Sequence, residues 1–172
     1  MGIATSIKKV TRQVEKAVTG EEPQVDLLDT LKEEHEEVAA LLQELVHGKS
    51  TAERKSLLKK IKAALVPHVR AEEKVLYNAI LAVKDKAANQ DGEEGYIEHG
   101  LADKMLATLS KITNARSPEF GAAAKVLKEL VEHHVKEEEN VVWSDAKKHF
   151  SSDERKLMNQ KYLRLKPTIK IP

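Results

Sequence analysis

The ten residues His68-Val69-Arg70-Ala71-Glu72-Glu73-Lys74-Val75-Leu76-Tyr77 return near the far end of the chain as His134-Val135-Lys136-Glu137-Glu138-Glu139-Asn140-Val141-Val142-Trp143, with five positions identical and three closely substituted. Each copy sets a histidine four residues before a glutamate inside an apolar pattern of helical period. That spacing puts imidazole and carboxylate on one helix face, a turn apart. Two more histidines lead the copies in the same order: 99 − 35 gives 64 and 134 − 68 gives 66. The chain therefore reads as a doubled helix pair, each half carrying His and then His-x-x-x-Glu. Histidines and carboxylates aimed inward by a helical bundle are the donors that a metal pair needs.

The rest of the sequence agrees with an all-α fold. Of 172 residues, 33% are charged and only 3% aromatic, which disfavours a β-sandwich or barrel. A net charge of +1 points to no nucleic-acid or acidic partner. The chain has no cysteine, so disulfides, thiolate metal sites and cysteine nucleophiles are excluded. No signal peptide or long apolar run is visible, and a soluble cytoplasmic protein without membrane contact is expected. No glycine-rich phosphate loop is present.

Residues 1–22 read as a basic amphipathic helix and linker, with Ile3, Ile7, Val10, Val14 and Val18 at helical spacing among Lys8, Lys9, Arg12 and Lys16. This segment is suited to packing on the bundle, on a second copy or on a protein partner. Residues 26–150 read as an up-down four-helix bundle. Its first helix runs from Asp26 to His47 and its second from Thr51 to Val83, kinked at Pro67. A loop over Asp85 to Gly92 leads to a third helix from Glu93 to Asn114. The fourth runs from the Ser117 N-cap to His149. Residues 151–172 read as a last helix, opened by Ser151 and Glu154 as a capping box, and a tail.

His35, His68, His99 and His134 each fall on the apolar seam of a different helix. Unpartnered buried imidazoles and carboxylates would cost several kcal/mol each, and a metal supplies the partner for all of them. Asp103, a turn after His99, fills the slot that Glu72 and Glu138 fill on the other helices. His133 and Glu137 share the spacing of His134 and Glu138 but leave the register of the repeat. His47 and His149 suit helix ends. Glu73 and Glu139 read as surface groups or outer partners of the ligands, and Tyr77 and Trp143 as core.

With these elements in view the chain resembles the hemerythrin-like, HHE cation-binding family, through His35 in Glu-Glu-His-Glu-Glu-Val, His68 with Glu72-Glu73 and Leu76-Tyr77, His99, and His134 with Glu138-Glu139 and Trp143. The resemblance covers roughly residues 26–150. It implies a bundle of hemerythrin type holding two non-haem iron ions, bridged by oxo or hydroxo. His35 and His68 would hold one ion, His99 and His134 the other, and Glu72 and Glu138 would bridge. The oxygen carriers of the family have a second histidine on the third helix, where this chain has Asp103.

Counting Asp103 as a ligand leaves one of about twelve coordination positions open, enough for O2, NO or peroxide. An anionic donor favours the ferric state, so sensing or redox handling of peroxide or NO is expected over reversible O2 carriage. Iron storage or donation is an alternative. A metal-free helical scaffold acting through partners is another.

Overall fold

The computed structural model describes residues 24–172, and the segment 1–22 read above as an amphipathic helix and linker lies outside them. Among the described residues the secondary structure is helical throughout. Helix α1 (Leu27–His47) opens where Asp26 accepts a hydrogen bond from the Leu28 N–H. Helix α2 begins at a capping box made by Ser50 and Glu53. It is α-helical over Thr51–Glu72, widens to a π turn over Glu73–Tyr77, and closes with Asn78–Ala82. Helix α3 is Lys86–Lys111. Helix α4 starts with Ser117 as cap and Pro118 in the first turn, runs over Pro118–Glu137, widens to a π turn over Glu138–Val142, and ends with Trp143–His149. Helix α5 (Ser152–Leu165) opens with the expected Ser151–Glu154 capping box and ends in a 3-10 turn, Lys166–Thr168.

Helices α1 to α4 form the bundle, α1 lying beside α2 and α4, and α3 beside α4 and α2. Helix α5 packs on α1 and α2. No described helix is long and apolar enough to cross a membrane.

Two details depart from the sequence expectation. Helix α2 continues in α geometry through Pro67, and the register breaks at the π turn beyond it. The expected loop over Asp85 to Gly92 is helical almost from its start, because Asp85 caps the Ala87 and Ala88 N–H groups. The Asn89 side chain also donates to the carbonyls of Ile80 and Val83, closing the end of α2. Two glycines of this helix serve close packing. A Cβ at Gly92 would meet Leu81 and Ile80, and one at Gly95 would lie 2.6 Å from the Tyr77 ring.

The apolar interior comes in two parts. One holds Val38, Leu42, Ile61, Leu106 and Leu127. The other holds Leu31, Leu76, Tyr77, Ile80, Trp143 and Tyr162. Along α1 the sequence passes from the second part (Leu27, Leu31) through His35 to the first (Val38, Leu42). A buried polar layer of His35, His68, Glu72, His99, His134 and Glu138 separates them.

The glycines of α3 offer a matched test. Gly95→Ala should destabilise the chain by roughly 1–3 kcal/mol, the cost of overpacking against a fixed ring. Gly100→Ala, with nothing within 4 Å of the new Cβ, should stabilise it by about 0.5–1 kcal/mol. Chemical denaturation of both variants measures the pair, and equal effects would contradict the packing role of Gly95.

Candidate metal centre

The four seam histidines reach the middle of the bundle from four helices, and none is more than 8% exposed. Glu72 and Glu138 lie between them at 0% and 1% exposure. Each imidazole divides its two nitrogens the same way. The Nε2 atoms face inward: those of His68 and His99 are each 3.6 Å from Glu72 Oε2, and those of His35 and His134 are 3.5 and 3.4 Å from Glu138 Oε2. Each central carboxylate thus faces one histidine from either half of the repeat.

The Nδ1 atoms face outward onto four other carboxylates. His35 meets Glu139 at 3.1 Å, His68 meets Glu34 at 2.8 Å, His99 meets Glu73 at 3.2 Å and His134 meets Glu98 at 2.7 Å. An Nδ1–H donated to a carboxylate fixes the ring and leaves the Nε2 lone pair pointing inward, as a metal-ligating histidine requires. Glu34 and Glu98 were not singled out in the sequence. Their signal was there, since each immediately precedes the leading histidine of its half.

The inner atoms lack what buried polar atoms normally have. Both oxygens of Glu72, Glu138 Oε2 and His35 Nε2 are buried without a hydrogen-bond partner. His99 Nε2 and His134 Nε2 face one another at 3.0 Å. These donors form two groups that could each hold a cation, His35 with His68 and Glu72, and Glu72 with His99 and His134. Imidazole and carboxylate without thiolate suit iron, zinc, copper or nickel.

Electrostatics of the metal-free chain follow from crowding. Burial, and then the facing Glu138, push the Glu72 carboxyl well above the usual range. Burial pushes Glu138 up as well, but His35 and His134 outweigh it and hold that carboxyl low. Burial lowers His68 to about 4 and also lowers His99. His134 is depressed by burial too, yet its bonds to Glu138 and Glu98 raise it to about 9.

The structure does not bring Asp103 to this group. Its side chain is 38% exposed and bound by the Arg70 guanidinium, which also holds Glu73 at 2.6 Å. The inward position on that turn of α3 belongs to Ala102, 7% exposed. His133 is 58% exposed and lies 3.6 Å from Glu98, outside the inner layer. His47 and His149 bond near helix ends, to the Gln43 carbonyl and to Asp85. Trp143 is more than core: its Nε1–H donates to Glu138 Oε1 at 3.0 Å, across the π turn. Tyr77, its counterpart in the repeat, keeps a buried hydroxyl without a partner.

Against the four imidazoles lies a small cavity of about 20 Å³, walled by Val38, Leu65, Val69, Ala102, Leu130, Val131 and Val135, with Glu98 at its edge. Glu72 and Glu138 do not line it. It has room for about one water-sized guest.

Four inward histidines around two central glutamates in a helical bundle make a set of donors suited to cations, and comparison with known families agrees. The model of the hemerythrin HHE cation-binding domain matches residues 26–144, and the chain belongs to that family. A protein of Nostoc sp. (strain PCC 7120 / SAG 25.82 / UTEX 2576) named DNA nickase is 25% identical over 130 residues, 76% of this chain and 36% of that protein. The chain thus spans about a third of that relative's length. No solved structure matches the chain.

The pH dependence of the metal-free chain carries a clear sign. A group whose folded pKa is raised contributes stability that is lost as pH rises through the folded value. His134, raised from 6.5 to about 9, and Glu72, raised well above 4.5, both act in that direction. His68, lowered from 6.5 to about 4, acts only below that window. The melting temperature of the metal-free chain should therefore fall between pH 6.5 and 9. Bound metal should flatten the slope, because it replaces those protons. A melting temperature that rises over the window without metal would contradict this assignment.

Proposed function

We propose that the chain is a non-haem di-iron protein that binds or senses O2, or the related small ligands NO and peroxide, at iron positions its own side chains leave open. The observation that carries this reading is the apolar cavity against the four imidazoles, sized for a very small uncharged guest. In the site so read, His35 and His68 hold one ion, His99 and His134 the other, and Glu72 and Glu138 are shared. A bound iron pair supplies one-electron chemistry and vacant coordination positions for a ligand.

The protein's part is to bind, orient and exclude. Glu139, Glu34, Glu73 and Glu98 hold the four rings by Nδ1, so that Nε2 is presented without rearrangement. The Trp143 indole restrains one oxygen of Glu138 and leaves the other for the centre. Valines and leucines over the imidazoles keep bulk water and large anions away. With Asp103 held by Arg70, six side chains serve about twelve positions of two octahedral ions. More than one position is then free for solvent or an added ligand, and redox activity on peroxide or NO belongs to those same positions.

Anaerobic loading with ferrous iron tests the reading. Two irons per chain and a spectral change on adding NO are expected. Ala102→Leu, which fills the cavity, should keep both irons and lose most of the NO response. Zinc in place of iron after growth in iron-rich medium, or unchanged NO binding in Ala102→Leu, would count against it.

A second reading has its own observation. Lys55, Lys59, Lys62, Arg70 and Lys74 recur at three- and four-residue steps along α2, with Val66 in the one gap and Arg70 paired with Glu73 and Asp103, and Lys111 and Lys170 line an open groove with Lys62 and Lys74. The related protein's name refers to DNA, and a cationic ridge suits a phosphate backbone. Fluorescence anisotropy with a labelled single strand at low salt decides it. A salt-sensitive signal lost in Lys55→Glu/Lys59→Glu supports DNA contact, and no signal removes it.

A further inference from the structure

The inner donors and the four glutamates that hold them obey the internal repeat, but the groups around those glutamates do not. His68 and His134 occupy equivalent places, and each gives its Nδ1 to a glutamate, Glu34 or Glu98. Around Glu34 two more groups converge. The Tyr162 hydroxyl donates to Glu34 Oε2 at 2.5 Å and lies 3.1 Å from His68 Nδ1. The Lys166 ammonium lies 2.6 Å from the same Oε2. Tyr162 is fully buried. Both groups come from α5 and its end, beyond the segment 26–144 that the family match covers. Around Glu98 the contacts are of another kind: His134 and, at 3.6 Å, the largely exposed His133.

Helix α5 is built for this placement. Its docking face carries a polar stripe at helical spacing, each member bonded to α1 or to the two residues before it. Arg155 grips Asp26 at 2.9 and 2.8 Å. Asn159 donates to the Val25 carbonyl at 3.0 Å, and Tyr162 and Lys166 take Glu34. A helix docked only for apolar cover would not need four directional bonds in a row. These bonds set the rotation and height of α5, and so the position of the Tyr162 hydroxyl.

We propose that α5 is a one-sided brace of the metal centre. Tyr162 and Lys166 act as positioning residues: they lock Glu34, and through it His68, so that the ion held by His35, His68 and Glu72 leaves more slowly than the ion held by His99, His134 and Glu72. Release of the first ion through His68 requires that ring to swing while its Nδ1 is held by two groups, one of them itself tied by a lysine and the other fully buried. The second site has a tie too, Arg70 on the Glu73 that holds His99, but that guanidinium is 34% exposed and screened by solvent, and release can begin with His134 and Glu98 moving together, at a place where α4 presents an exposed neighbour. The two sites are alike in inner ligands and unlike in how freely those ligands move.

The proposal rests on the metal reading above, and release kinetics separate the two. The full chain is saturated with Co(II), and its visible absorption is followed after mixing with excess chelator. Two phases of equal amplitude are expected. Tyr162→Phe, which removes only the hydroxyl, should speed the slow phase by about 10- to 100-fold, the range for losing an outer partner of a metal-bound histidine, and leave the fast phase in place. Lys166→Met, at a side chain one quarter exposed, should speed the same phase less and keeps the test open if Tyr162→Phe folds poorly. Glu98→Gln should speed the fast phase alone. A merely loosened fold would speed both phases together. A single phase in the unmodified chain, or variants at Tyr162 and Lys166 that leave the slow phase unchanged or speed both phases equally, overturns the brace. Failure of the unmodified chain to take up two Co(II) overturns the metal reading, and the brace with it.

Discussion

Glu72 and Glu138 bring two carboxylates into the dry centre of the bundle, where both oxygens of one and an oxygen of the other find no hydrogen bond. Two like charges in such a place repel, and each pays the cost of leaving water, about several kcal/mol for a buried unpaired ion. Without a cation the chain can relieve this only by holding protons there, which is why Glu72 is pushed up and His134 stays charged. A cation between the carboxylates and the Nε2 atoms removes the repulsion and the desolvation penalty together. The placement of the other polar groups near the centre serves that demand. Four outer glutamates orient four rings, and one π turn begins directly after Glu72 and the other at Glu138.

The same demand explains how the core is divided. A polar layer across a four-helix bundle interrupts apolar packing, so each side must be stable enough to keep the layer closed. Leu42, Ile61, Leu106, Leu127 and Phe120 fill one side. Leu27, Leu31, Leu76, Ile80, Trp143 and Tyr162 fill the other. The second side lies at the end where α5 docks, and it needs that helix, since Tyr162 supplies one of its largest fully buried side chains. Packing on one side and ring positioning at the centre are therefore joined in a single residue.

Much of this was legible in the sequence because duplication makes a pattern visible. The two His-x-x-x-Glu segments and their leading histidines marked six inner side chains, and the caps at Asp26, Ser117 and Ser151 stood where the sequence put them. What was hidden depends on three-dimensional context. Asp103 has the same spacing from His99 that Glu72 and Glu138 have from their histidines, but Arg70 on a neighbouring helix holds its carboxylate outside the layer. The segment from Asp85 to Gly92 read as a loop because glycine's effect on packing cannot be told from its effect on the backbone until the facing side chains, Leu81 and Ile80, are placed. Glu34 and Glu98 sat in plain view among many glutamates, and only the neighbouring helix reveals which one meets an imidazole. Tyr162 and Lys166 carried no signal, since the segment that holds them has no counterpart in the repeat.

Departures from two-fold symmetry fall on outer groups and spare the inner donors. Arg70 ties Glu73 to Asp103 on one half, where the repeat places an exposed Lys136 on the other. Trp143 bonds Glu138, whereas Tyr77 leaves Glu72 unbonded. Tyr162 and Lys166 reach Glu34 and have no equivalent at Glu98. A duplicated helix pair starts with equal sites, and a change at an inner histidine or glutamate would remove a site outright. Changes one bond further out alter how firmly a ligand is held or how much charge its carboxylate keeps, in steps small enough for the fold to absorb. In the proposed reading, two neighbouring ions could thus be made to differ without either losing its place.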